Sequence, residues 1–111
     1  MNYFPNIAII SGAGRNVGKT SLGQAIIERF SEQHPIISVK VSPHFHSATN
    51  SLVPKIINKE YHVYLEKSPE YNKDSSRLLK AGAQKSYYVQ CTDDFVFNAL
   101  NEINTPSAFF I

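Results

Sequence analysis

Near the N-terminus the run Ser11-Gly12-Ala13-Gly14-Arg15-Asn16-Val17-Gly18-Lys19-Thr20-Ser21 has the residue types and spacing needed to hold a phosphate. Its last part, Gly18-Lys19-Thr20, is the invariant end of the P-loop pattern G-x-x-x-x-G-K-[ST]. An anion is cradled when successive backbone N–H groups converge on it. That requires residues without Cβ where the chain passes closest, and a following helix that aims its positive end at the same point. Gly12, Gly14 and Gly18 supply the first need, and the segment from Lys19 onward supplies the second. The backbone of Ala13, Arg15, Asn16, Val17 and Ser21 completes the expected phosphate cradle. In it Lys19 is the catalytic cation, bridging the β- and γ-phosphates, and the Thr20 hydroxyl is one ligand of an octahedral Mg²⁺. Arg15 either approaches the γ-phosphate or sits at the loop surface. The expected ligand is GTP or ATP with Mg²⁺. Neither Asn58-Lys59-Glu60-Tyr61 nor Asn72-Lys73-Asp74-Ser75 has the fourth-position Asp of the N-K-x-D guanine signature, so the base stays open.

The elements around the loop are those a P-loop needs. Asn6 to Ser11 is a short isoleucine-rich run between Pro5 and the glycines, as a buried parallel strand would be. Lys19 to Phe30 has helical spacing, with Leu22, Ile26 and Phe30 on one face. Ile36 to Ser42 reads as the next strand, which completes a βαβ unit. Ser47 to Lys59 has no decisive period. Tyr61 to Glu66 reads as a short strand that could pair with part of it as a hairpin inserted in the sheet. Asp74 to Ala81 reads as a helix with Gly82 as its left-handed C-cap, and Lys85 to Cys91 as a strand. Thr92, Asp93 and Asp94 then open a helix whose apolar face is Val96, Ala99, Leu100 and Ile103, ended by Thr105-Pro106. The resulting fold class is α/β, a P-loop NTPase-type three-layer fold with a mainly parallel sheet.

The chain has 111 residues, enough for one domain that buries roughly two-thirds of its unfolded surface. A net charge of +2 with scattered lysines gives no basic stripe for nucleic acid. The single cysteine, Cys91, permits no internal disulfide, and no long apolar run marks a signal or a membrane span. A cytoplasmic protein is therefore expected. Ser107 to Ile111 begins a further buried strand, so the single nucleotide-binding domain spanning residues 1–111 is expected to continue beyond Ile111. The acid that usually supports the magnesium is expected there too. Asp93 and Asp94 are already accounted for by the helix they open.

Two later segments, Val39-Lys40-Val41-Ser42-Pro43-His44-Phe45-His46 and Lys73-Asp74-Ser75-Ser76-Arg77-Leu78-Leu79-Lys80-Ala81-Gly82-Ala83, together with the loop resemble the molybdopterin-guanine dinucleotide biosynthesis protein B family. The resemblance implies GTP binding with weak hydrolysis, a partner enzyme of molybdenum cofactor assembly, and a homodimer. Nucleotide binding carries over to Gly18, Lys19, Thr20 and Ser21. The sequence departs from the family in its longer loop and in Lys40-Val41, where a Lys-His pair is usual, with histidines displaced to His44 and His46. The longer loop, counted from Gly12, resembles dethiobiotin synthetase and so implies an ATP-dependent small-molecule synthetase or kinase as an alternative. A third alternative is a regulatory module that binds nucleotide without turning it over. Asp74 and Arg77 are either a polar cluster near the phosphates or a capped helix start with a solvated arginine. His44 and His46 are either two metal ligands or strand-end histidines facing nucleotide or solvent.

Overall fold

The computed structural model describes residues 6–7, 18–43, 45, 50–70, 73–104 and 109–110. In chain order the elements are α1 (Lys19–Phe30), β1 (Ile36–Ser42), β2 (Leu52–Ile57), β3 (Tyr61–Glu66), α2 (Asp74–Ala81), β4 (Lys85–Cys91), a 3₁₀ turn (Asp93–Phe95), α3 (Val96–Ile103) and β5 (Phe109–Phe110). The helices and strands expected at Lys19–Phe30, Ile36–Ser42, Tyr61–Glu66, Asp74–Ala81 and Lys85–Cys91 all form. The strand expected at Asn6 to Ser11 lies outside the described residues except for Asn6 and Ile7. Ile7 packs against Ile37, and Asn6 Nδ2 donates to Asn104 Oδ1 at 2.8 Å.

The fold is α/β, built on a sheet of order β2-β3-β4-β1-β5. β1 runs parallel to β4 and β5, whereas β3 is antiparallel to both β2 and β4. Among the described residues the sheet is thus mixed, which corrects the mainly parallel sheet read from the sequence. The cause is the β2–β3 hairpin, which enters the sheet beside β4. Its turn is closed by Asn58, whose Oδ1 accepts the N–H groups of Glu60 and Tyr61 at 2.9 and 2.8 Å. The ambiguous period of this segment has a cause as well. β2 carries Pro54, tolerable only because β2 is an edge, and a bulge between Pro54 and Ile56 shifts its alternation.

Strand parity divides the chemistry of the two faces. One face carries Ile37, Val39, Tyr87, Val89, Cys91, Tyr61 and Val63 and is covered by α3 through Val96, Ala99 and Ile103. This is the apolar core, and Cys91 is fully buried in it, where burial pushes its thiol pKa up. The opposite face carries Ile36, Ser38, Lys40, Ser86, Gln90, His62 and Glu66, and α2 lies against β4 and β1 there. α1 packs on α2, with Ile27, Ile36, Leu78 and Ala83 in one cluster. The expected stripe on α1 does share a face, but Leu22 is 52% and Phe30 41% exposed. The enclosed residues are Gly23 and Ile27, because the neighbour α1 leans on is α2.

α2 stops at Gly82, as expected. There φ is +124°, and the N–H groups of Gly82 and Ala83 reach back to the carbonyls of Leu79 and Leu78 at 3.1 and 3.3 Å. Thr92 precedes the 3₁₀ turn, but its side chain makes no capping hydrogen bond. Its carbonyl accepts the Phe95 N–H at 3.0 Å instead.

Candidate functional site

The site assembles where the N-termini of α1 and α2 meet the C-terminal half of β1. Gly18 has φ 88° and ψ 11°, a left-handed conformation, and its carbonyl accepts the Leu22 N–H at 2.9 Å. A Cβ on Gly18 would meet nothing within 4 Å, so glycine is needed here for its backbone and not for room. Lys19 and Thr20 follow in the first turn of α1, both half-buried, while Ser21 is exposed. Gly12, Ala13, Gly14, Arg15, Asn16 and Val17 lie outside the described residues, as do His44 and His46.

Asp74 is the hub. It opens α2, where a carboxylate suits the helix dipole, and it reaches three side chains from three elements. Lys40 Nζ of β1 stands 3.0 Å from Asp74 Oδ2, with the two side chains 35% and 34% exposed. Arg77 Nη1, one turn along α2, lies 3.7 Å from Asp74 Oδ1. The Thr20 hydroxyl of α1 faces the same carboxylate closely enough to help lower its pKa. Partial burial works to raise the Asp74 pKa, but Lys40, then Thr20 and Arg77, outweigh it and hold the carboxyl below its ordinary 3.8. Arg77 is no solvated arginine, since its Nη2 also donates to Gln24 Oε1 of α1 at 2.7 Å. The guanidinium therefore ties α1 to α2 directly behind the carboxylate.

Beneath this cluster runs a buried polar chain that sequence reasoning did not anticipate. Ser38 Oγ donates to Ser86 Oγ at 2.8 Å, and Ser86 Oγ donates to the Ser75 carbonyl at 2.7 Å. Ser75 Oγ in turn donates to Glu66 Oε1 at 2.8 Å. The sequence does put Ser38, Ser86 and Glu66 on strand positions of even parity. Only the sheet order reveals that these positions share one face.

Farther along the same face, His62 Nδ1 lies 3.2 Å from Gln90 Oε1, and Phe45 stacks on His62 at 4.9 Å between centroids. Tyr61 and Tyr64 are buried and Tyr87 and Tyr88 half-buried, in keeping with strand tyrosines that fill a face. Asp93 and Asp94 are exposed in the 3₁₀ turn. Among the described residues no group of three or more His, Cys, Asp or Glu could hold a metal by itself, and no helix is long and apolar enough to cross a membrane.

Comparison of the chain with protein-family models, with curated proteins and with solved structures finds no match. The functional reading of the site therefore stands on its own chemistry.

Proposed function

We propose that the chain is a P-loop protein that binds a nucleoside triphosphate, GTP or ATP, with Mg²⁺, and turns it over weakly at most. One observation carries the reading: the helix that follows the glycine-rich run begins at a left-handed Gly18, and its Thr20 meets a second helix N-terminus at Asp74, beside Lys40. Two helix N-termini and the cations Lys40 and Arg77 gather around one carboxylate, and Lys19 stands in the first turn of α1. That balance favours a polyanion.

The donor set fits magnesium. Mg²⁺ keeps several waters and takes one or two protein oxygens together with phosphate oxygens, so it needs no cage of carboxylates. With its proton directed to Asp74, the Thr20 hydroxyl would keep its lone pairs for the metal, which is how an outer carboxylate orients an inner ligand. When bound, the ion would neutralise charge between the β- and γ-phosphates. Lys19 would hold the phosphates. On this reading Asp74 would support the magnesium shell from a helix start.

The resemblance to the molybdopterin-guanine dinucleotide biosynthesis protein B family favours GTP and a partner enzyme of molybdenum cofactor assembly. The longer loop, from Gly12 through five residues to Gly18-Lys19-Thr20, favours the second reading of an ATP-dependent small-molecule synthetase or kinase. Isothermal titration with GTP and with ATP separates the two. Lys19→Ala should abolish binding of either triphosphate and leave the melting temperature unchanged, because Lys19 contributes charge and no core volume. Undiminished triphosphate affinity in that variant would sink the reading.

A further inference from the structure

Glu66 closes β3 and is only 3% exposed, yet burial does not neutralise it. Burial works to raise its pKa, but hydrogen bonds from the Ser51 and Ser75 hydroxyls and from the Ser68 N–H prevail, and the carboxyl is held below its ordinary 4.5. Its Oε1 takes the Ser75 proton at 2.8 Å and its Oε2 the Ser68 N–H at 3.2 Å. An enclosed carboxylate is a poor way to gain stability, because a well-packed apolar residue often does as well. What this one does is local. Ser75 is the second residue of α2 and the neighbour of Asp74, and it is held at both ends. Its side chain is anchored to Glu66 of β3 and its carbonyl to Ser86 of β4, which is anchored in turn to Ser38 of β1.

We infer that Glu66 is a positioning residue for the metal side of the phosphate site: through Ser75 it fixes the first turn of α2, and so the place where the Asp74 carboxylate meets Thr20. The inference rests on the nucleotide reading above. Glu66 touches no phosphate and no metal itself. Its effect should therefore appear in the part of the affinity that magnesium contributes, since outer groups that orient metal ligands are typically worth about 10–100-fold in metal affinity.

The test is titration of GTP and ATP into the wild-type chain, Glu66→Gln and Ser75→Ala, each with Mg²⁺ and with EDTA, on protein whose fold is verified by circular dichroism. Glu66→Gln keeps the size but loses the charge, and Ser75→Ala breaks the same link from the other side, so it serves should the first variant not fold. Expected is magnesium-free affinity within about twofold of wild type and magnesium-dependent affinity lower by about 10–100-fold. Equal affinity with magnesium in the folded variants overturns the inference. So does a loss of the same size with and without the metal, which would mark Glu66 as a stabilising residue only. A wild-type chain that binds neither triphosphate overturns the nucleotide reading itself, and Glu66's role at a metal falls with it.

Discussion

The joint between α1 and α2 carries both halves of the site, and Gly82 is where its geometry can be tested by number. At φ +124° a side chain is strained whatever space surrounds it, at a cost of about 1–3 kcal/mol. Space is also short: a Cβ there would stand 2.7 Å from Ser31 Oγ, 3.2 Å from Ser31 Cβ and 3.7 Å from Ile27 Cγ2. The Ser31 hydroxyl can rotate away, but its Cβ cannot, so the end of α1 must give by a few tenths of an ångström. Together the two effects should destabilise Gly82→Ala by about 2–3 kcal/mol. That is a fall of roughly 8–12 °C in Tm at about 4 °C per kcal/mol for a domain near this size. Urea unfolding at 25 °C, followed by circular dichroism, measures it. Repeating the substitution in a Ser31→Gly background separates the contributions, since the contact is relieved there and the backbone strain is not. The opposite sign is the informative alternative: at a position where alanine fits, Gly→Ala stabilises by about 0.4–1 kcal/mol. An unchanged or raised midpoint for Gly82→Ala would refute the left-handed joint.

Three further outcomes are expected. Thr20→Ala and Asp74→Asn should each weaken triphosphate binding with Mg²⁺ by at least about tenfold and binding in EDTA far less, whereas Thr20→Ser should keep both; titration calorimetry would detect an equal loss in the two buffers, which would remove Thr20 from the metal. Glu66 and Asp74 both have folded pKa values below their ordinary 4.5 and 3.8, so the stability they contribute is present above those values and is lost as pH falls through the folded ones. Stability should accordingly be level from neutral pH down to about 5 and then decline, with a shallower acid limb in Glu66→Gln; an identical limb would mean that Glu66 is not the group titrating. Cys91, enclosed and with its thiol pKa raised, should react with a thiol reagent only through opening of the core, so its labelling rate should rise with urea in step with global unfolding. Fast labelling in native buffer would contradict its burial.

Most of the fold was legible because the elements that form carry their own punctuation. Pro35 and Pro43 bracket β1, Gly82 stops α2, and Asp93-Asp94 mark the turn before α3. The hairpin was harder for a physical reason. Pro54 and the bulge after it break the alternation that identifies a strand, and pairing beside β4 is a long-range choice no local pattern encodes. The α1 stripe of Leu22, Ile26 and Phe30 was misleading in the same way, since periodicity finds an apolar face and not the neighbour that covers it. For the candidate site, Gly18, Lys19 and Thr20 stand out in the sequence by spacing alone. Asp74 was readable as a helix start but not as the partner of Thr20 and Lys40, residues 54 and 34 positions away in the sequence. Glu66 left no signal, because a glutamate at the end of a strand looks like an exposed residue until Ser75 is placed over it.

The electrostatics of Asp74 also bear on what the proposed site does once nucleotide is bound. A general base works best with a pKa near the operating pH, where it is both ionised and willing to take a proton. Asp74 is pushed the other way, held below 3.8 by Lys40, Thr20 and Arg77. At neutral pH it is fully ionised and a poor proton acceptor. Those properties suit a group that orients a hydroxyl toward a cation, and they do not suit one that activates an attacking water. Lys40 and Arg77 reinforce the point, since a carboxylate that left them to take a proton would expose two half-buried cations without their partner. On the proposed reading, then, the same ion pairs that build the phosphate and magnesium site keep its acid from serving as a base.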